Sequence, residues 1–129
     1  MRQEKSICGS AGEGLVADEM RMAGFVILAQ NYRVGHLEAD IIALEGDVLC
    51  VVEVKTRASS AALRDLDVLI PPQKERNLIT LGDSFARTHR QLNIRSVRFD
   101  FALVCAPAQG QPHITYIKNA FIPGALKNF

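Results

Sequence analysis

The sequence predicts one α/β domain, a central sheet flanked by helices. The elements run helix, strand, strand, strand, helix, strand, ending on a short strand. Three observations carry this. Apolar residues make up 48% of the 129 residues and aromatics only 6%, which suits an aliphatic α/β core in a single domain. The apolar period is helical over residues 10–23, strand-like over 25–57, helical again from Pro71, and alternating over 97–105. Two apolar runs flank Gly46-Asp47, a two-residue hairpin signal.

The first helix opens at Ser10-Ala11-Gly12-Glu13 and runs to about Ala23. Leu15, Val16, Met20 and Ala23 form its apolar stripe, and Gly24 is its stop. Glu13 has two readings. Ser10-x-x-Glu13 fits a capping box, with the carboxylate returning to the Ser10 amide. Alternatively, Glu13 points towards the hairpin. Phe25 to Gln30 is a short apolar strand leading into Asn31-Tyr32-Arg33.

The hairpin spans Leu37 to Arg57. With Gly46-Asp47 as its loop, Glu45 faces Val48, Asp40 faces Glu53, and Glu38 faces Lys55. Period-two alternation puts all four charged residues on one face at one end. Directly opposed Cβ atoms lie about 4.5–5.5 Å apart, where like charges repel. A proton, Lys55 or a cation must offset Asp40 against Glu53. Two carboxylates with a main-chain carbonyl and waters suit a hard cation such as Mg²⁺. The plainer reading is a solvated strand end whose ion pairs contribute about 0–1 kcal/mol each.

After Arg57 the periodicity breaks. Ala58-Ser59-Ser60-Ala61-Ala62 reads as a mobile loop beside the hairpin end. Pro71-Pro72 starts the long second helix, with Leu78, Leu81, Phe85 and Leu92 on its buried side. Gln73 and Lys74 fall in its first turn, where an anion would be favoured; an ordinary exposed lysine is the alternative for Lys74. Val97 to Cys105 alternates strictly, with Arg98 and Asp100 on one face as a structural ion pair. Ile114 to Ile117 is the last short strand, and Ala120-Phe121-Ile122 docks on the core.

Net charge is +1, but it is unevenly spread. Residues 1–54 carry four Lys or Arg against nine Asp or Glu, and residues 55–129 carry eleven against five. The basic half could meet a phosphate backbone. Cys8, Cys50 and Cys105 form no Cys-x-x-Cys pair, and the last two sit inside apolar strands as buried thiols. No run approaches the roughly 20 apolar residues that span a bilayer, and the first residues lack a signal-peptide centre. The expected location is the cytoplasm, with no membrane partner.

Asp40, twelve intervening residues and Glu53-Val54-Lys55 resemble the D…ExK core of restriction-endonuclease-like nucleases. Further pieces resemble the bacterial YraN-like family, predicted endonucleases related to archaeal Holliday junction resolvases. They are Gly12-Glu13, Asn31-Tyr32-Arg33, Leu37-Glu38-Ala39-Asp40-Ile41-Ile42-Ala43, Val52-Glu53-Val54-Lys55-Thr56-Arg57, Lys74, Arg98-Phe99-Asp100 and Asn119-Ala120-Phe121. They run in the family's order over almost the whole chain. The aromatic-Gly step that family members carry after the ExK is missing across 58–70, a departure that bears on substrate preference.

The resemblance implies a restriction-endonuclease-like core with a mixed sheet, and a metal-dependent nuclease acting on phosphodiesters in DNA. Junction DNA enters by analogy with the resolvases. Asp40 and Glu53 would hold Mg²⁺ or Mn²⁺, joined by Glu13 and the carbonyl of Val54. Lys55 completes the catalytic set with Asp40 and Glu53, orienting water or stabilising developing charge. Glu38 is placed to hold Lys55 in the resting state. Lys74, Gln73, Arg57 and Arg33 are the nucleic-acid contacts. Because resolvases act as dimers, a homodimer stays open. The rival reading is a nuclease-fold module that binds nucleic acid or a partner protein without cutting, since fold does not settle function.

Overall fold

A computed structural model describes residues 9–123. Helix α1 (Gly9–Met22) leads into β1 (Val26–Val34), β2 (Leu37–Glu45) and β3 (Val48–Arg57). A 3₁₀ turn (Ser60–Arg64), the short α2 (Leu66–Leu69) and the long α3 (Pro72–Thr88) come next. A second 3₁₀ turn (Arg90–Leu92), β4 (Ser96–Cys105) and β5 (His113–Phe121) complete the described chain.

The five strands form one mixed sheet in the order β1-β2-β3-β4-β5. Only β3 and β4 run parallel, joined by the crossover that contains α3. Such a pair needs a long connection, whereas β2 and β3 need only two residues. The predicted turn holds: Glu45 pairs with Val48, and Gly46 sits at φ +62°, a conformation glycine takes without a Cβ penalty. The mixed sheet flanked by helices is consistent with a restriction-endonuclease-like core.

Each face of the sheet buries its own cluster. On one face, Val16, Ala17 and Met20 of α1 cover Ile41, Ala43, Cys50, Val52, Val54, Ala102 and Val104. On the other, Leu78, Leu81 and Phe85 of α3 cover Ile42, Leu49, Val51, Phe99, Phe101 and Leu103. Strands β3 and β4 are buried on both faces, so they read as near-continuous apolar runs.

Several expectations shift. Leu15 of the expected stripe is 37% exposed, and Leu92 lies in the 3₁₀ turn beyond α3. The segment after Arg57 is not a bare loop. The Ser59 hydroxyl accepts from the Ala61 N–H at 3.1 Å and caps the 3₁₀ turn, and the buried Leu69 and Ile70 anchor the end of α2 in the core. The last strand is not short but nine residues long. It continues through Asn119 at φ +56°, whose N–H donates to the Asp100 carboxylate at 3.0 Å across a bulge. Phe121 then stacks on Phe99 at 5.1 Å and packs on the core with Ala120, whereas Ile122, also expected to dock, is exposed. The Ser10 side chain and Cys8 lie outside the described residues. Among the described residues, no helix is long and apolar enough to cross a membrane.

Candidate active site

The sheet opens at the end where β2 begins and β3 finishes. The β2–β3 ladder runs from Glu45–Val48 to Ile41–Val52 and stops there. The predicted register holds over this stretch, but the expected facing pairs Asp40–Glu53 and Glu38–Lys55 lie beyond it. The Val54 N–H donates to the Asp40 carboxylate at 2.8 Å.

The shared face also fails, for a reason in the backbone. Leu37 and Ala39 pack on the α3 side together with Ile42 and Leu44, while Ile41 and Ala43 pack on the α1 side. The inward positions of β2 therefore change phase between Ala39 and Ile42. Gln30 pairs with Ile41 and Tyr32 with Ala39, so Asn31 lies across from Asp40. Asn31 has φ +53°, a left-handed conformation that asparagine tolerates better than most residues. The break in pleat turns Glu38 and Asp40 towards α1. Glu53 alternates with Val52 and Val54 and so faces α3.

A cleft of about 410 Å³ joins the two sides. Glu13, Glu38, Asp40, Glu53, Val54, Lys55, Thr56, Arg57 and Lys74 line it. Glu13 of α1 is buried beside Asp40; burial, then the Asp40 carboxylate and more weakly Glu38, push its carboxyl up to about 7, while Asn31 pulls the other way. Glu53 is 2% exposed. Burial raises its pKa and Asp40 adds to this, opposed by Lys74 and Lys55. Lys55 Nζ lies 3.2 Å from one Glu53 oxygen and Lys74 Nζ 3.6 Å from the other.

Every predicted catalytic and metal residue lines this cleft. Lys74 is more central than its place in the first turn of α3 suggested: its ammonium reaches Glu53 and lies 3.5 Å from the Glu38 carbonyl. Arg57 is at the rim. Arg33 is exposed outside it and pairs with Glu38 at 3.5 Å, so Glu38 holds Arg33 and not Lys55. Gln73 is not brought in; it bonds Asn77 and Arg76 on the exposed side of α3. Asn31 and Thr56 stand among the pieces that resemble the family, but sequence reasoning gave neither a role in the site. An Asn in a strand pattern was the available signal for Asn31, and nothing local marks Thr56.

The residues fit a hard cation in one respect and limit it in another. Glu13 Oε1 and Glu53 Oε1 are buried with no hydrogen-bond partner, a costly state for carboxylate oxygens. Yet among the described residues no group of three Asp, Glu, His or Cys side chains forms a ready cage. Mg²⁺ suits such a partial set, because it keeps several waters and takes one or two carboxylates plus substrate oxygens.

Arg98 and Asp100 form the structural pair expected of them, in a cluster apart from the cleft. Arg98 is bidentate on Asp100 and reaches Glu45 at 2.8 Å, and Tyr116 donates to Asp100 at 2.7 Å. Burial and Asp100 push the Cys50 thiol up to about 12, so it stays protonated.

The model of the family described as "Uncharacterised protein family UPF0102" matches residues 12–104. This chain belongs to UPF0102. It is the YraN-like family the sequence resembles. A UPF0102 protein of Bacteroides fragilis is 35% identical over 120 residues, covering 93% of this chain and 96% of that protein. One from Synechococcus is 36% identical over 117 residues, 88% of each chain. One from Streptomyces coelicolor is 36% identical over 112 residues, 86% of this chain and 85% of its own. The UPF0102 match begins at Gly12, beside Glu13, and ends at Val104 of β4, so it spans every residue that lines the cleft.

Proposed function

We propose that this UPF0102 protein is a metal-dependent nuclease that hydrolyses phosphodiester bonds in DNA. The observation that carries the reading is the pair of buried carboxylate oxygens without a hydrogen bond, Glu13 Oε1 and Glu53 Oε1 (the latter only ion-paired with Lys74 at 3.6 Å), on residues that line one cleft with Asp40 and two lysines. Asp40 and Glu53 would hold Mg²⁺ or Mn²⁺, with Glu13 and the Val54 carbonyl as further ligands. When bound, the ion would supply Lewis acidity at a phosphoryl oxygen and a more acidic water.

The chain's own residues do the rest. Val54 orients the Asp40 carboxylate through its N–H. Lys55 and Lys74 bracket Glu53, and as preorganised cations they would stabilise the negative charge that develops on a phosphate bound in the cleft. Arg57 at the rim and Arg33 outside it would bind the flanking backbone. Release of either lysine from Glu53 to a phosphate would leave one oxygen of that carboxylate to the cation.

One observation favours a second reading. The two lysines already neutralise Glu53, and no three-carboxylate cage is present among the described residues. A module that binds nucleic acid or a partner protein without cutting would look the same. Calorimetric titration of Mg²⁺ and Mn²⁺ into wild type and Glu53→Ala, beside cleavage assays on branched and linear DNA, separates the two. The nuclease reading expects ion binding and cutting in wild type and neither in the variant. Ion binding absent even with DNA present would leave the binding module.

A further inference from the structure

Glycine is a poor helix former, exceeded only by proline. Helix α1 nevertheless carries Gly12 and Gly14 within one turn. Their surroundings differ. A Cβ built on Gly14 would meet nothing within 4 Å. A Cβ on Gly12 would lie 2.5 Å from Thr56 Oγ1 and 3.5 Å from Val104 Cγ2. The first distance is far inside van der Waals contact, so something must move.

Thr56 is poorly placed to yield. It pairs with Val104 in the parallel β3–β4 ladder, close to the open end of the sheet, and its β-branched side chain is stiff about χ1. The element freer to move is α1, a surface helix on which Leu15 is 37% exposed. Gly12 precedes Glu13, and Thr56 comes directly after Lys55, so this contact joins the two elements that supply opposite walls of the cleft.

We infer that Gly12 is a positioning residue for the site: its missing side chain lets α1 rest on Thr56, and that seating places the Glu13 carboxylate beside Asp40. The inference rests on the metal-site reading of the cleft. A shift of about 1 Å in a ligand-bearing element is enough to spoil such a constellation.

Three variants test it by Mn²⁺ titration. Gly12→Ala weakens binding about tenfold or more, a typical loss when the support of a ligand is disturbed. Gly14→Ala has the same change in helix propensity on the same helix and binds as wild type does. Gly12→Ala combined with Thr56→Ala removes the clashing oxygen and recovers the affinity of Thr56→Ala alone. Wild-type affinity in Gly12→Ala overturns the inference, and so does a double variant as weak as Gly12→Ala. If Gly12→Ala does not fold, the double variant carries the test: the affinity of Thr56→Ala alone supports the inference, and binding about tenfold weaker than Thr56→Ala overturns it. If wild type binds no ion with or without DNA, the proposed function fails on its own. The inference is then read from crystals of wild type and Gly12→Ala: a larger Glu13–Asp40 carboxylate separation supports it, and an unchanged one overturns it.

Discussion

The Val54 N–H donates to the Asp40 carboxylate at 2.8 Å just where the β2–β3 ladder ends. One side chain thus satisfies the main chain of an opened strand pair and keeps a charged oxygen at the cleft.

Replacing Asp40 should separate these two roles. Asp40→Ala leaves the Val54 N–H without its acceptor and costs about 1–3 kcal/mol. Asp40→Asn keeps an acceptor and removes a charge that Glu13 and Glu53 both feel. It should therefore stay within about 0.5 kcal/mol of wild type or exceed it, while losing ion binding. Urea unfolding of both variants checks this, and equal losses would refute the role given to the hydrogen bond.

Stability should depend on pH through Glu13. Its carboxyl titrates near 4.5 when unfolded and about 7 in the fold. Between those values the native state holds a proton that the unfolded chain has released. Stability is therefore greatest below about pH 4.5 as far as this group is concerned, and falls as pH rises towards 7, by about 1–3 kcal/mol. Glu53 shifts in the same direction. Urea midpoints at pH 5 and pH 8 in EDTA should show the fall in wild type and a smaller one in Glu13→Gln. The same slope in both proteins would remove Glu13 as its source.

The Arg98 cluster should be a matter of stability alone. Arg98→Ala leaves the buried Asp100 without its counter-ion, though still bonded to Tyr116 and the Asn119 N–H, and should cost about 3 kcal/mol. Tyr116→Phe removes one of Asp100's partners and should cost about 1 kcal/mol. Neither residue lines the cleft, so ion affinity of the folded variants should match wild type. A titration showing weaker binding would tie this cluster to the site.

Arg57 and Gln73 should behave differently towards DNA. Arg57 is at the cleft, whereas Gln73 is tied to Asn77 and Arg76 on the outer face of α3. Arg57→Ala should weaken binding to all sequences and lower the salt slope by about 1. Gln73→Ala should do neither. Fluorescence anisotropy over a range of salt concentrations reads both, and a Gln73→Ala defect would put that face of α3 on the nucleic acid.

The sequence by itself determined what local chemistry controls. Gly46-Asp47 and period-two alternation set the hairpin register as far as Ile41–Val52, because turn length and pleat are properties of adjacent residues. Pro71-Pro72 marked the start of α3, and Arg98 and Asp100, two apart on one strand, had to meet. The set Asp40, Glu53 and Lys55 was legible from its D…ExK spacing, although the facing pairs and the shared face expected of it fail.

Tertiary structure decided where those side chains point and what they meet. Asn31 in a left-handed conformation changes the phase of β2, so Asp40 turns to α1 while Glu53 faces α3. Glu13 reaches Asp40 because α1 rests on β3 at Gly12, and Lys74 enters the cleft because α3 covers the other face. Gln73, one residue away, is turned outwards by the helical period. These outcomes depend on how helices sit on a sheet, which is set by contacts between residues far apart in the chain, and no short window of sequence contains both partners.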